Sequence, residues 1–245
     1  MLISNFFDHG EIGEFKYFTL PHFIPLLLMV LIIFLIYRFR DKIREYKFED
    51  NIRLVLAFTM IISDMSYFWH KMYIGAEIKD HLPITVCGWA ALLGGFMLLS
   101  KKQSLFDIVY FWVLAGSINA LITPAVITDN GPTHFRYYQF WIEHTSIFIA
   151  VFYMIFVHKY RINIKSLIKA ISAIIFLTVI AIYVNNNITG ANYLFLSSTE
   201  AGDSVLNFLP SAFWLRLIIM GGIVFTLFFI AYAPWIYISK SNKTS

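Results

Sequence analysis

The chain has 245 residues, of which 59% are apolar, 18% aromatic and only 14% charged, with a formal net charge of +4. Average soluble domains carry about 25% charged residues, so this composition, at a mean hydropathy of +0.69, excludes a water-soluble domain and a disordered chain. The single cysteine, Cys87, excludes an internal disulfide. The basic residues stand in short blocks between apolar runs, as membrane flanks do, so no nucleic-acid partner is expected.

The chain opens on an acidic segment (MLISNFFDHGEIGEF) without a basic n-region or a small-residue cleavage site, so no cleaved signal peptide is expected. A spanning helix needs roughly 20 mostly apolar residues. Seven windows meet this length, at about 20–39, 53–70, 83–100, 104–123, 137–157, 166–184 and 211–238. Pro21 and Pro83 open the first and third, in first turns where a missing N–H is harmless. With no 20–50-residue repeat and no long linker, residues 1–245 read as one all-α, polytopic seven-span bundle.

The loops orient it. Of 19 basic residues, 14 fall on one side, in the blocks 38–53, 101–102, 159–169 and 240–243. The other side holds Lys16, Lys71, Lys79, Arg136 and Arg216, and its 185–210 loop has no Lys or Arg. The positive-inside rule therefore places the N-terminus outside and the C-terminus in the cytoplasm of a plasma-membrane protein.

Charges within spans are costly and thus informative. At a rise of 1.5 Å per residue, Cys87, Asn119, Asp64, Arg216 and His144 all lie about 6–10 Å inside the outer boundary. On the second span Ser63, Ser66, Tyr67 and His70 share a face, and on the fifth Arg136, Gln139 and Glu143 share one. Cys87, Ala91 and Gly95 form a small-xxx-small stripe suited to close helix packing, and Gly116, Asn119, Ala120 and Thr123 form another. The expectation is an outward-opening polar pocket in which a cysteine meets a histidine. His81 and His134 fall in outer loops and would line its mouth, or be solvated. Asp64 and Glu143 would orient the histidine or pair with Arg216.

No HExxH, paired HxxxH or Cys–His metal spacing occurs, so no metal site is expected. Walker A, GxSxG and Rossmann motifs are absent too. Ser66-x-x-x-His70 brings to mind seven-span hydrolases of the alkaline ceramidase type, but those carry histidines in a last helix that has none here.

The segments His81-Leu82-Pro83-Ile84-Thr85-Val86-Cys87, Tyr110-Phe111-Trp112 through Gly116, Asn119, Ala120 and Pro124, His134 through Phe140 with His144, and Asn192-Tyr193-Leu194 resemble the YwaF-type bacterial integral membrane proteins. That family is related to a eukaryotic transmembrane acyltransferase that moves acyl chains onto ether phospholipids. The resemblance implies a seven-span fold and a cysteine nucleophile with a histidine partner. Pro83 and Cys87 match the family's P-L-H-L-C pattern, but Thr85 stands where the histidine is usual, which leaves His144 as the base.

The residues support two functions. As a lipid acyltransferase, Cys87 would be the nucleophile, His144 the base and Asn119 an oxyanion donor, with no cofactor. Arg216, Asp64, Glu143, His70, His81 and His134 would contact a phospholipid or other acyl lipid, Arg216 through the phosphate. As a non-catalytic lipid-binding or transport protein, the same layer would hold a headgroup or ion.

Overall fold

The computed structural model describes residues 6–8, 10, 14–80, 82–124, 127–197 and 208–241, and among these it is helical with no strand. Seven helices follow the apolar windows: α1 Leu20–Arg44, α2 Glu49–Tyr73, α3 Val86–Ser100, α4 Gln103–Ile122, α5 Phe135–Phe156, α6 Ile164–Asn187 and α7 Phe213–Ser241. Most overrun their apolar windows, because the backbone ladder continues into polar flanks where water can serve the helix ends. Six of the seven are long and apolar enough to cross a membrane.

The exception is α3. Pro83 does not open this helix but lies in a bend upstream of it, and Thr85 caps the helix by accepting from Gly88 N at 3.1 Å. Its 15 residues rise about 22 Å, short of a hydrocarbon core of about 30 Å. The first turn of α3 therefore begins below the level its long neighbours reach.

Helix α5 is the hub, with 72% of its apolar window buried against 11% for α1 and α7. It packs on α1, α2 and α3, while α2 and α3 pack closely on each other. The stripe expected on α3 is the reason: a Cβ on Gly95 would stand 2.7 Å from Ile61 Cγ1 and 3.4 Å from the Ala57 carbonyl.

At the basic end, charge is consumed by structure. Glu49 accepts from Tyr153 at 2.7 Å and His158 at 2.9 Å, with Arg53 Nε at 3.4 Å, and Arg53 also bonds Asp50 and the Leu98 carbonyl. Asp107 takes Ser166 at 2.7 Å, Gln103 at 2.9 Å and Lys169 at 2.6 Å. These two clusters tie α2 to α5 and α4 to α6. Burial, helped by the positive charges of Lys101 and Arg53, outweighs the attraction of Glu49, so the pKa of His158 is lowered.

Candidate functional site

Cys87 occupies the first turn of α3, half-buried. Gly88 N is spent on the Thr85 cap, while the amides of Val86 and Cys87 have no partner among the described residues. Two free N–H groups at a helix N-terminus make a local positive end beside the thiol.

His144, on α5 and 5% exposed, stands near enough to Cys87 for the two side chains to interact electrostatically. Its Nδ1 lies 2.9 Å from the Phe140 carbonyl, and its ring stacks on Phe140 at 4.0 Å between centroids. A carbonyl only accepts, so the proton of the neutral imidazole sits on Nδ1 and Nε2 keeps its lone pair. The orienting group is therefore a backbone carbonyl one turn back, in place of the carboxylate expected from sequence.

The carboxylates have other roles. Glu143 Oε2 accepts from Gln139 Nε2 at 2.6 Å, and Gln139 in turn accepts from Arg136, so the polar face expected on α5 is a continuous hydrogen-bonded chain. Ser63 joins it, donating to the Gln139 carbonyl at 3.1 Å. Asp64 is 3% exposed and has no hydrogen-bond partner among the described residues, and its Oδ1 lies 2.8 Å from where a Cβ on Gly88 would stand. Asp64 and Glu143 are close enough to repel each other electrostatically.

Neither acid pairs with Arg216. That guanidinium, 2% exposed, donates through Nε to the Phe195 carbonyl at 2.6 Å and through Nη1 to the Pro210 carbonyl at 3.4 Å, and buried Nη2 has no partner among the described residues. Leu194 and Phe195 are both left-handed, at φ 57° and 56°, a conformation L-residues avoid. Asn185 holds this turn by bonding both backbone groups of Tyr193, at 2.8 and 3.0 Å. Tyr193 accepts from Leu82 N at 2.8 Å and donates to the Ile78 carbonyl at 3.4 Å, anchoring the strap that leads to Cys87.

Several expected residues stand apart. Asn119 is exposed and donates to the Ala115 carbonyl at 3.0 Å, a bond within its own helix that turns it from an oxyanion role. His70 reaches the Phe7 carbonyl at 2.8 Å, and His134 stands just before α5, its side chain pairing with Glu14 at 2.9 Å. His81 lies outside the described residues. The residue missed is Ser117, fully buried, with Oγ 3.4 Å from Cys87 Sγ. A six-residue π-helical turn, Trp112–Ser117, interrupts α4 and sets this position. It also explains Asn119: a 3.6-residue period drawn through 116–123 ignores the wider turn just before it.

Facing lipid, a groove of about 610 Å³ runs between α2 and α5, lined by Leu54, Val55, Phe58 and Ile142, with Ser63 and Gln139 among its polar walls. Among the described residues no cluster of three His, Cys, Asp or Glu side chains is arranged to hold a metal ion.

A model described as the TMEM164 family matches residues 17–232. An uncharacterized protein of Treponema pallidum (strain Nichols) is 27% identical over 123 residues, 50% of this chain and 50% of that protein. The chain thus spans about half the length of the curated relative it matches. No solved structure matches.

Proposed function

The chain belongs to the TMEM164 family of multi-pass membrane proteins, and from that premise we propose that it is a cysteine-dependent lipid acyltransferase of YwaF-type character, acting in the outer leaflet of the plasma membrane. The carrying observation is His144 beside Cys87, with Nδ1 bonded to the Phe140 carbonyl so that Nε2 of the neutral ring is left to accept a proton. A free thiol with a pKa of about 8.5 is mostly protonated at neutral pH, so it needs such a base.

In the first half-reaction His144 Nε2 takes the thiol proton and Sγ attacks the ester carbonyl of an acyl lipid. A C–S bond forms and the ester C–O bond breaks. The departing alkoxide takes the proton from His144 and leaves as an alcohol, giving a thioester. In the second half His144 takes a proton from an acceptor alcohol, whose oxygen displaces the thiolate, and the proton returns to sulfur. The free amides of Val86 and Cys87 suit the tetrahedral oxyanion better than Asn119 does.

The groove between α2 and α5 supports an acyl chain that remains in hydrocarbon, and Arg216, with no carboxylate partner among the described residues, supports a phosphate contact. A transport route would need polar groups free at both ends. The buried charges of the basic end, Glu49, Arg53 and Asp107, are bound in the Glu49 and Asp107 clusters, which favours the enzyme reading.

The test is a covalent one. Purified protein incubated with phospholipid donors should carry a hydroxylamine-sensitive acyl group on Cys87 that is absent in Cys87→Ser. His144→Asn should slow its formation by about 10²–10⁴-fold, the usual loss on removing a general base. Full acyl exchange by Cys87→Ala would refute the covalent mechanism.

A further inference from the structure

We propose that Ser117 is a catalytic residue of the thiol centre: turned onto Cys87 by the π-helical segment of α4, its hydroxyl donates a hydrogen bond to Sγ and holds the sulfur once it is an anion. The inference rests on the Cys87–His144 reading above.

The proton inventory fixes the direction of each bond. His144 Nδ1–H is committed to the Phe140 carbonyl, so Nε2 is the ring nitrogen left to take the thiol proton in the proposed reaction. Once that proton has left, sulfur can only accept, and the contact at 3.4 Å has the serine O–H as its donor. Nothing else competes for that proton. Several helical hydroxyls spend theirs on a carbonyl four residues back, as Thr145 does on Trp141 at 2.6 Å, Thr178 on Ile174 at 2.8 Å and Thr59 on Val55 at 2.8 Å. Ser117, fully buried, makes no such bond among the described residues.

The local backbone accounts for this exception. A π turn adds one residue to a helical turn, and such insertions gather at functional sites. Removing one residue would rotate everything beyond it by about 100° about the axis, taking the hydroxyl off Cys87. The bond also gains strength during the reaction. When His144 takes the thiol proton, O–H···S becomes O–H···S⁻, and hydrogen bonds to an ionised partner are roughly twice as strong as neutral ones. Ser117 thus favours the state that attacks over the state that rests, without itself gaining or losing a proton.

Cys87 is the protein's sole thiol, so its reactivity can be read without any lipid substrate. The rate of alkylation by iodoacetamide, followed by intact mass from pH 5 to 9 on full-length protein in lipid nanodiscs, reports the thiolate. The titratable groups around Cys87 are His144 and Glu143 on α5 and Asp64 on α2, beside Gly88, and all three stay in place in the variants. Ser117→Ala should slow alkylation at pH 7 roughly tenfold and move the profile's midpoint up by about one pH unit. Ser117→Thr, which keeps the hydroxyl, should hold the wild-type midpoint.

A Ser117→Ala profile superimposed on wild type overturns the inference. So does an equal shift in the Ala and Thr variants, because packing alone would then explain it. Failure of the acyltransferase reading looks different: Cys87 would alkylate with this serine-dependent profile yet take up no acyl group from phospholipid.

Discussion

Gly88→Ala probes the site at its tightest point. The added methyl would stand 2.8 Å from Thr85 Oγ1 and 2.8 Å from Asp64 Oδ1. Ordinary contact begins near 3.4 Å, so each neighbour must retreat by about 0.6 Å. The threonine retreats only by giving up the cap it makes to Gly88 N, which is worth about 1 kcal/mol. Asp64, 3% exposed and held near Glu143, retreats only by repacking, and overfilling of this kind costs about 1–3 kcal/mol. Together these give about 2–4 kcal/mol, or a fall in Tm of roughly 4–16 °C for a chain of this size. Fluorescence-detected size exclusion after heating, in one detergent, measures it.

Asp64→Ala removes the more rigid obstacle, so the double variant should recover at least about 1 kcal/mol of coupling. A Gly88→Ala protein within about 0.5 kcal/mol of wild type, or strict additivity with Asp64→Ala, would refute this account of the turn.

Three further outcomes follow from the same reasoning. Gly95→Ala must move stiff, β-branched Ile61 of α2, and should lower Tm by several degrees, whereas Gly222→Ala, with nothing within 4 Å of its Cβ, should leave it unchanged or slightly raised; equal effects in the same thermal assay would remove the close α2–α3 approach. The lowered pKa of His158 means the fold binds fewer protons there than the unfolded chain does. Its contribution to stability is then complete above about pH 6.5 and lost as pH falls toward the folded value, so Tm should decline with acid less steeply in His158→Gln, and a steeper decline would reverse the sign. Cysteines placed singly at Ser4 and Ser245 in a Cys87→Ala background should be labelled by an impermeant maleimide in intact cells at residue 4 only, and labelling at 245 would invert the orientation read from the basic residues.

Membrane character, helical class and the place of each apolar helix were legible in the sequence, because hydropathy is a local property and a bilayer leaves the backbone little choice but to bond within its own helix. Face patterns were legible wherever the helix kept its period: Arg136, Gln139 and Glu143 form the chain their spacing implies, and Gly95 meets α2 as its stripe requires. Partner choice was another matter. Asp64, Glu143 and Arg216 share a depth, and depth alone allows an ion pair that the structure replaces with carbonyls for Arg216, Gln139 for Glu143 and no partner for Asp64 among the described residues. The His144 tautomer depends on where the Phe140 carbonyl falls relative to a particular rotamer, which no residue spacing encodes. Ser117 was hidden for the most physical reason of all. A π turn changes the period on which face assignments rest, and the widened segment from Trp112 to Ser117 packs against α3, α5 and α7, contacts that no local pattern in the sequence identifies.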